Sequence, residues 1–154
     1  MNPFMKLAVD EAFRGVRAGR GGPFGAAVVR DGLVIAAGCN EVVATHDPTA
    51  HAEVTAIRLA SARLGRFDLS DCQIYATCEP CPMCLAAIYW ARIKKLYYGA
   101  TAADAAAAGF DDKVIYAALQ GPADTALVEA AHIDREACLG PFQEWAAKPD
   151  RVRY

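Results

Sequence analysis

The chain has 154 residues, 55% of them apolar and 22% charged, with a formal net charge of −2. That length predicts one domain with its own core, and that balance excludes an intrinsically disordered chain. The longest basic run is Lys94-Lys95, so the clustered cations of a long nucleic-acid footprint are missing; a small neutral substrate needs no such field.

Residues 2–18 read as an amphipathic helix with Phe4, Leu7, Ala8, Phe13 and Val16 near one face, ended by Arg20-Gly21-Gly22-Pro23. Two strands follow over about 24–30 and 33–39, joined by the hairpin signal Asp31-Gly32. Residues 40–48 form a polar loop, in which Asp47 or Thr49 can cap a helix over about 50–64, striped by His51, Val54, Ile57 and Leu64 and ended by Gly65. Residues 72–77 read as a buried strand, Pro80 or Pro82 opens a helix to about Arg92, and 95–99 is a further strand. Beyond it, 101–108 is a helix or turn and 113–119 a strand or helix, with helices expected near 124–132 and 140–147. The ββαβαβ order predicts an α/β domain with helices packed on a sheet.

Met1-Asn2-Pro3-Phe4-Met5-Lys6 lacks the charged start and apolar stretch of a secretory leader, and no apolar run approaches the roughly 20 residues of a membrane span. A cytoplasmic location is therefore expected, with the six cysteines reduced and a C-x-x-C pair serving a metal or redox site.

Chemistry concentrates in His51-Ala52-Glu53 and Cys81-Pro82-Met83-Cys84. Imidazole and two thiolates supply three bonds to Zn²⁺, and a catalytic zinc site takes three protein ligands and leaves a place for water. Spaced three apart at a helix start, Cys81 and Cys84 share a face where the dipole favours thiolates. Glu53 is then left beside the metal as a general acid and base. Three other readings stay open: a thioredoxin-like redox pair, a capping role for His51-x-Glu53, and a closed structural site with Cys78 as fourth ligand. Both motifs at helix starts, in this order, match the signature of zinc deaminases. Cys39 and Cys72, like Cys78, read as buried small hydrophobes; Cys138, His132 and the loop residue His46 read as uninvolved, and Glu79 as a helix-start anion.

The chain resembles the cytidine deaminase-like superfamily of zinc hydrolases and, more closely, its bacterial guanine deaminase branch. The likeness is dense in residues 21–26, 47–58 and 78–84, and in Ala87-Ile88-Tyr89-Trp90-Ala91-Arg92 and Gly109-Phe110-Asp111-Asp112. It implies a three-layer α/β/α fold around a mixed sheet of about five strands. It implies one Zn²⁺ per subunit on His51, Cys81 and Cys84, and hydrolysis of guanine to xanthine and ammonia in purine catabolism or salvage, with Glu53 moving protons. Another small amino-heterocycle (cytosine, ammeline or a purine nucleoside) is the alternative substrate. A single deaminase domain over 1–154 is expected, forming a homodimer in which C-terminal segments from about residue 140 are exchanged and Tyr154 closes the partner's site. Nucleic acid and membrane partners are not expected.

The residue types suit a purine. Phe24 can stack on the ring, Asn40 offers a donor and an acceptor, Asp112 accepts from ring or amino N–H and can help the leaving amine, and Trp90 can wall the pocket. Core packing for Phe24 and Trp90, a loop cap for Asn40, a solvated pair for Asp112 beside Asp111, and fraying for Tyr154 are the structural alternatives.

Overall fold

A computed structural model describes residues 1–121, 128 and 131–152 of the chain. Helix α1 (Pro3–Arg17) begins at Asn2, whose side chain accepts the N–H groups of Phe4 and Met5 at 2.9 and 3.2 Å. Two otherwise orphaned amides are thereby satisfied. The buried face of α1 is Ala8, Ala12 and Gly15, while Phe13 and Val16 are about half exposed, contrary to the stripe expected from hydrophobicity. Close approach explains the difference. A methyl group at Gly25 on the neighbouring strand would sit 2.0 Å from the Ala8 carbonyl oxygen, so only small side chains fit where α1 crosses the start of β1.

Strands β1 (Gly25–Arg30) and β2 (Leu33–Cys39) pair antiparallel. Asp31 and Gly32 between them both take positive φ (51° and 75°), as a tight two-residue hairpin turn requires. Strand β3 (Gln73–Cys78) runs antiparallel to β1, and β4 (Lys95–Ala100) runs parallel to β3. The mixed sheet has the order β2-β1-β3-β4 and four strands among the described residues, not about five. The segment at 113–119, expected as a strand or a helix, is a helix. Its apolar residues fall in i, i+4 pairs (Val114 with Ala118, Ile115 with Leu119), the spacing of a helical face.

The polar loop after β2 contains a short helix α2 (Val42–Thr45). Helix α3 (Ala52–Leu64) ends at Gly65 in the left-handed conformation. Its buried residues are Ala52, Glu53, Ala56 and Ala60, with Val54 and Ile57 only partly covered. Thr55 lies so close to β2 that a methyl at Gly38 would meet its Cγ2 at 2.9 Å. Neither Asp47 nor Thr49 caps α3: the Asp47 carboxylate accepts the N–H and hydroxyl of Thr49 in a turn before it, and His51 occupies the cap position.

Helix α4 (Pro82–Trp90) links β3 to β4. Helices α5 (Ala102–Ala107), α6 (Lys113–Gln120) and α7 (Arg135–Ala147) follow; α5 opens with a capping box between Thr101 and Asp104, and α7 starts five residues before the expected 140. The helix expected near 124–132 falls mostly outside the described residues.

Helix α1 covers one sheet face, where Phe4 meets Tyr75 at 5.3 Å between ring centroids and Tyr75 stacks on Tyr97 at 4.7 Å. The other face carries α3 and α4, packed on Ala26, Val28, Ala36 and Ile74 with Leu69, Ile88 and Ile93 completing the core. The result is the expected layering of helices on both sides of a sheet. The C-terminal ends of β2, β3 and β4 and the start of β1 share one edge, since Gly25 pairs with Cys39 and Cys78 with Ala100. Ligands of open α/β sheets sit outside such strand ends.

Candidate active site

Two helix starts meet at that edge. His51 is the N-cap of α3 and Cys81 the N-cap of α4; both have extended backbone (ψ 158° and 166°), and neither makes a side-chain capping bond. Their side chains face each other instead. The Sγ atoms of Cys81 and Cys84 each lie 3.5 Å from His51 Nδ1, and all three donor atoms fall within 4.8 Å of one another. A capping role for His51 is thereby replaced by a convergent donor set.

The set fits zinc. Tetrahedral bonds of about 2.3 Å to sulfur and 2.0–2.1 Å to nitrogen place S and N about 3.6 Å apart, and the observed separations are 3.5 Å. Soft thiolates and a borderline imidazole are what this ion takes in preference to Mg²⁺ or Ca²⁺. The hydrogen bond with Cys84, helped by His51, holds the Cys81 thiol down at about 4. Cys84 is pushed up, first by the same bond and then by burial, as expected when two adjacent thiols share one negative charge. His51 is raised by its bond to Cys81. Cys78 lies outside this set: it is buried, and its Sγ–H donates to the Thr101 carbonyl at 3.5 Å. Three ligands leave an open coordination position.

Glu53 follows on the first turn of α3, only 7% exposed, and accepts from Cys84 Sγ at 3.4 Å. Burial is the largest influence on it and raises its pKa. Its carboxylate is held against the donor set without belonging to it.

A cavity of about 560 Å³ opens over these groups, with His51, Glu53 and Cys81 among its lining and Phe24, Asn40 and Asp112 on its walls. Asn40 is 5% exposed, and its Oδ1 accepts the N–H groups of Gly22 and Val42, both at 3.2 Å. It therefore caps the loop and faces the cavity at once. Asp111 and Asp112 divide their labour. Asp111 accepts the Lys113 N–H at 3.0 Å, whereas Asp112, at the N-cap of α6, makes no side-chain capping bond and turns into the cavity, where burial raises its pKa.

Phe110 also lines this cavity. It meets Phe24 edge-on at 5.0 Å between centroids and 83° between planes. Sequence reasoning flagged the Gly109-Phe110-Asp111-Asp112 stretch without giving Phe110 a role; an aromatic directly before two cavity-side acids was the available signal. Glu79 lines the cavity too, and its Oε2 accepts the Ala102 N–H at 3.1 Å, so its anion serves the start of α5 and not that of α4, which follows it in sequence.

Trp90 is not a wall of this cavity. It ends α4, nine residues from Cys81, and is 68% exposed. The rise of the helix, about 1.5 Å per residue, carries it away from the end that holds the donor set. Tyr154 lies outside the described residues. His46, His132 and Cys138 are exposed, and Cys39 and Cys72 are buried apart from the donor set.

Comparison with known proteins agrees with this geometry. Residues 1–100 match the family model described as cytidine and deoxycytidylate deaminase zinc-binding region. Guanine deaminase of Bacillus subtilis is 51% identical over 98% of this chain and 97% of its own. The solved structure of guanine deaminase from that organism superposes with a TM-score of 0.94, covering 100% of this chain and 99% of its own. A solved complex with 2,6-diaminopurine is 39% identical, with a TM-score of 0.68 over 71% of this chain and 61% of its own. The tRNA-specific adenosine deaminase of Agrobacterium fabrum is 48% identical over 97 residues, 63% of either chain. Zinc-ligand geometry, layered fold and near full-length likeness converge, and the chain belongs to the cytidine and deoxycytidylate deaminase family of zinc-dependent hydrolases, in its guanine deaminase branch.

Proposed function

We propose that the chain hydrolyses guanine to xanthine and ammonia, in purine catabolism or salvage, with one Zn²⁺ per subunit. The carrying observation is the likeness to guanine deaminase over almost the whole length, whereas the tRNA deaminase match spans 97 residues. The net charge of −2 also argues against a polyanionic substrate.

His51, Cys81 and Cys84 hold the ion. When bound, zinc acts as a Lewis acid that brings the pKa of a water molecule from 15.7 to around 7. The remaining work belongs to the chain. Glu53 would take one proton from the attacking water and pass it to a ring nitrogen, then take the second from the hydroxyl added to the carbon and deliver it to the departing amine; its burial keeps bulk water from competing. Phe24 packs on the ring face, Asn40 bonds the purine edge, and Asp112 accepts from a ring or amino N–H and receives the leaving ammonia. Phe110, set against Phe24, narrows the mouth around a flat ring.

The assembly reading is a homodimer of single-domain subunits. Tyr89, Trp90, Tyr97 and Tyr98 are 44–75% exposed on α4 and the edge strand β4, a large apolar surface for one chain to leave uncovered. Helix α7 buries none of its residues, and Phe142 on it is 68% exposed. An exchange of segments from about residue 140, with Tyr154 closing the partner's site, would cover them. No helix among the described residues is long and apolar enough to cross a membrane, and six free cysteines suit a reducing cytoplasm.

The test is ammonia release from zinc-loaded protein offered guanine, cytosine, ammeline, guanosine and adenosine separately. Turnover of guanine above the others is expected. Guanine inert while another compound turns over would transfer the assignment to that heterocycle, and salt-sensitive micromolar binding of tRNA would move it to nucleic acid.

A further inference from the structure

Asn40 stands among groups that the purine-binding reading leaves unused. Glu41 follows it directly, and Arg20 lies two residues before Gly22, whose N–H the Asn40 amide accepts. The two side chains form a two-pronged ion pair: Arg20 Nε donates to Glu41 Oε1 at 2.9 Å, and Nη2 donates to Oε2. The backbone braces the same two loops. The Arg20 carbonyl accepts from Val43 and Ala44 N–H at 3.1 and 3.0 Å, and Glu41 N–H donates to the Ala50 carbonyl at 2.9 Å, one residue before His51. The chain segments that hold Asn40 from either side are thus tied by a single charged bridge.

The consequence is directional. Both N–H groups that reach Asn40, from Gly22 and Val42, converge on Oδ1. With Oδ1 taken by two donors, the amide nitrogen is the polar group this cavity-lining residue has left to offer a ligand, and it is a donor. Packing is tight: a methyl on Gly21 would lie 2.1 Å from Oδ1, so any side chain at position 21 would displace the amide.

We propose that Arg20 and Glu41 are positioning residues that fix the Asn40 amide, oxygen inward and nitrogen toward the base, and so select purines presenting an acceptor on that edge. This rests on the reading of the cavity as a purine-base site. The pair touches no reacting atom, and it acts through the two loops that carry the Gly22 and Val42 donors.

The test compares the parent with Glu41→Gln, Arg20→Lys and the charge-exchanged double variant Arg20→Glu/Glu41→Arg. Zinc content is measured alongside kcat and KM for guanine and the binding of 8-azaguanine to the zinc-loaded protein. The Asn40 side-chain NH₂ resonances are followed by ¹⁵N-correlated NMR in ligand-free samples. Expected is a rise of about tenfold in KM and in the 8-azaguanine Kd for each single variant, the factor that one bond of 1.4 kcal/mol represents. kcat and zinc stoichiometry should hold, since binding made equally in ground and transition states moves KM alone. The two Asn40 NH₂ signals should shift toward the positions of a freely rotating asparagine side chain as the amide loosens, and the double variant should regain part of the affinity. Unchanged Asn40 signals, or a loss of zinc and kcat in step with KM, would overturn the proposal and leave the pair a structural brace. If guanine and 8-azaguanine are ignored by the parent as well, the substrate reading fails by itself, and the ligand-free Asn40 signals still decide the positioning role.

Discussion

Glu53→Gln separates acid–base chemistry from metal binding within one side chain. The amide has nearly the volume of the carboxyl, so the packing of this 7%-exposed residue on α3 is preserved, and none of the three zinc donors is touched. What disappears is a group able to take and return a proton. General acid–base help is worth roughly 10²–10⁴ in rate, about 3–5 kcal/mol of barrier. Turnover of guanine should therefore fall at least about 100-fold. Stability should move the other way. Burial is the leading influence on Glu53 and disfavours its charged form, so in the zinc-free protein the neutral amide should raise unfolding stability, the exchange of stability for activity usual at such sites. The assay combines xanthine formation, zinc per subunit by mass spectrometry and thermal unfolding. Turnover within threefold of the parent would remove Glu53 from the proton path, and loss of zinc would make it a ligand; either result refutes the reasoning.

Four further outcomes follow from the same geometry. Cys84→Ala removes one of three donors, so zinc should be lost on dialysis and Tm should fall, because metal affinity is coupled to folding; full zinc retention would show that Cys84 is no ligand. Gly25→Ala places a methyl 2.0 Å from the Ala8 carbonyl, where ordinary contact begins at 3.4 Å, so α1 must shift by more than 1 Å. A loss of about 3 kcal/mol, roughly 6–12 °C in Tm, is expected, and an unchanged melting curve would contradict the packing. The Arg20 bridge lowers the Glu41 pKa below the ordinary carboxylate value; a depressed folded pKa gives stability that is present above the unfolded pKa and lost as pH falls through the folded one. Urea unfolding of zinc-free parent and Glu41→Gln should accordingly differ at pH 7 and converge below about pH 4, and a gap that widens in acid would reverse the assignment. For the assembly, Glu53→Gln chains mixed with chains lacking Tyr154 should recover activity if C-termini are exchanged, because the intact site borrows its partner's tail; the mixture should stay inactive if each tail closes its own site.

The parts legible in the sequence were those written in local spacing. Asp31-Gly32 specified the hairpin, Gly65 the end of α3, and the two motifs at helix starts the donor set. The inner faces of α1 and α3 were legible only in part, for a physical reason. Hydrophobicity alone points the largest apolar residues inward; Phe4, Ala8, Ile57 and Leu64 do pack on the sheet or its core, but Ala12, Gly15, Ala52, Ala56 and Ala60 are buried without having been in the expected stripes. Which face is inward depends on how near the sheet lies, and Gly25 and Gly38 set that distance from elsewhere in the chain. Residues 113–119 carried a mixed signal that only the helical i, i+4 pairing resolved. Trp90 was drawn into the site by its neighbourhood in the motif, although a helix carries a residue nine positions on well away from its own start.

The two misread features, small inner faces and missing caps, belong together. His51 and Cys81 occupy positions where Ser, Thr, Asp or Asn would accept a backbone N–H, and neither does so. Each forgone cap costs about 1 kcal/mol. Structural zinc contributes about 10–16 kcal/mol in small domains, so even a weaker catalytic site outweighs two lost caps. The exchange works only if the two helix starts are held within the reach of one ion. Alanine on the inner face of α3 lets it lie close on the sheet, and Pro82 fixes the first turn of α4, so that imidazole and sulfur stand 3.5 Å apart. The dipoles of both helices then point their positive ends at the thiolates and at the Glu53 carboxylate. Close packing, uncapped starts and a reactive donor set are therefore a single arrangement, in which the residues that weaken each helix locally are the ones that define the site.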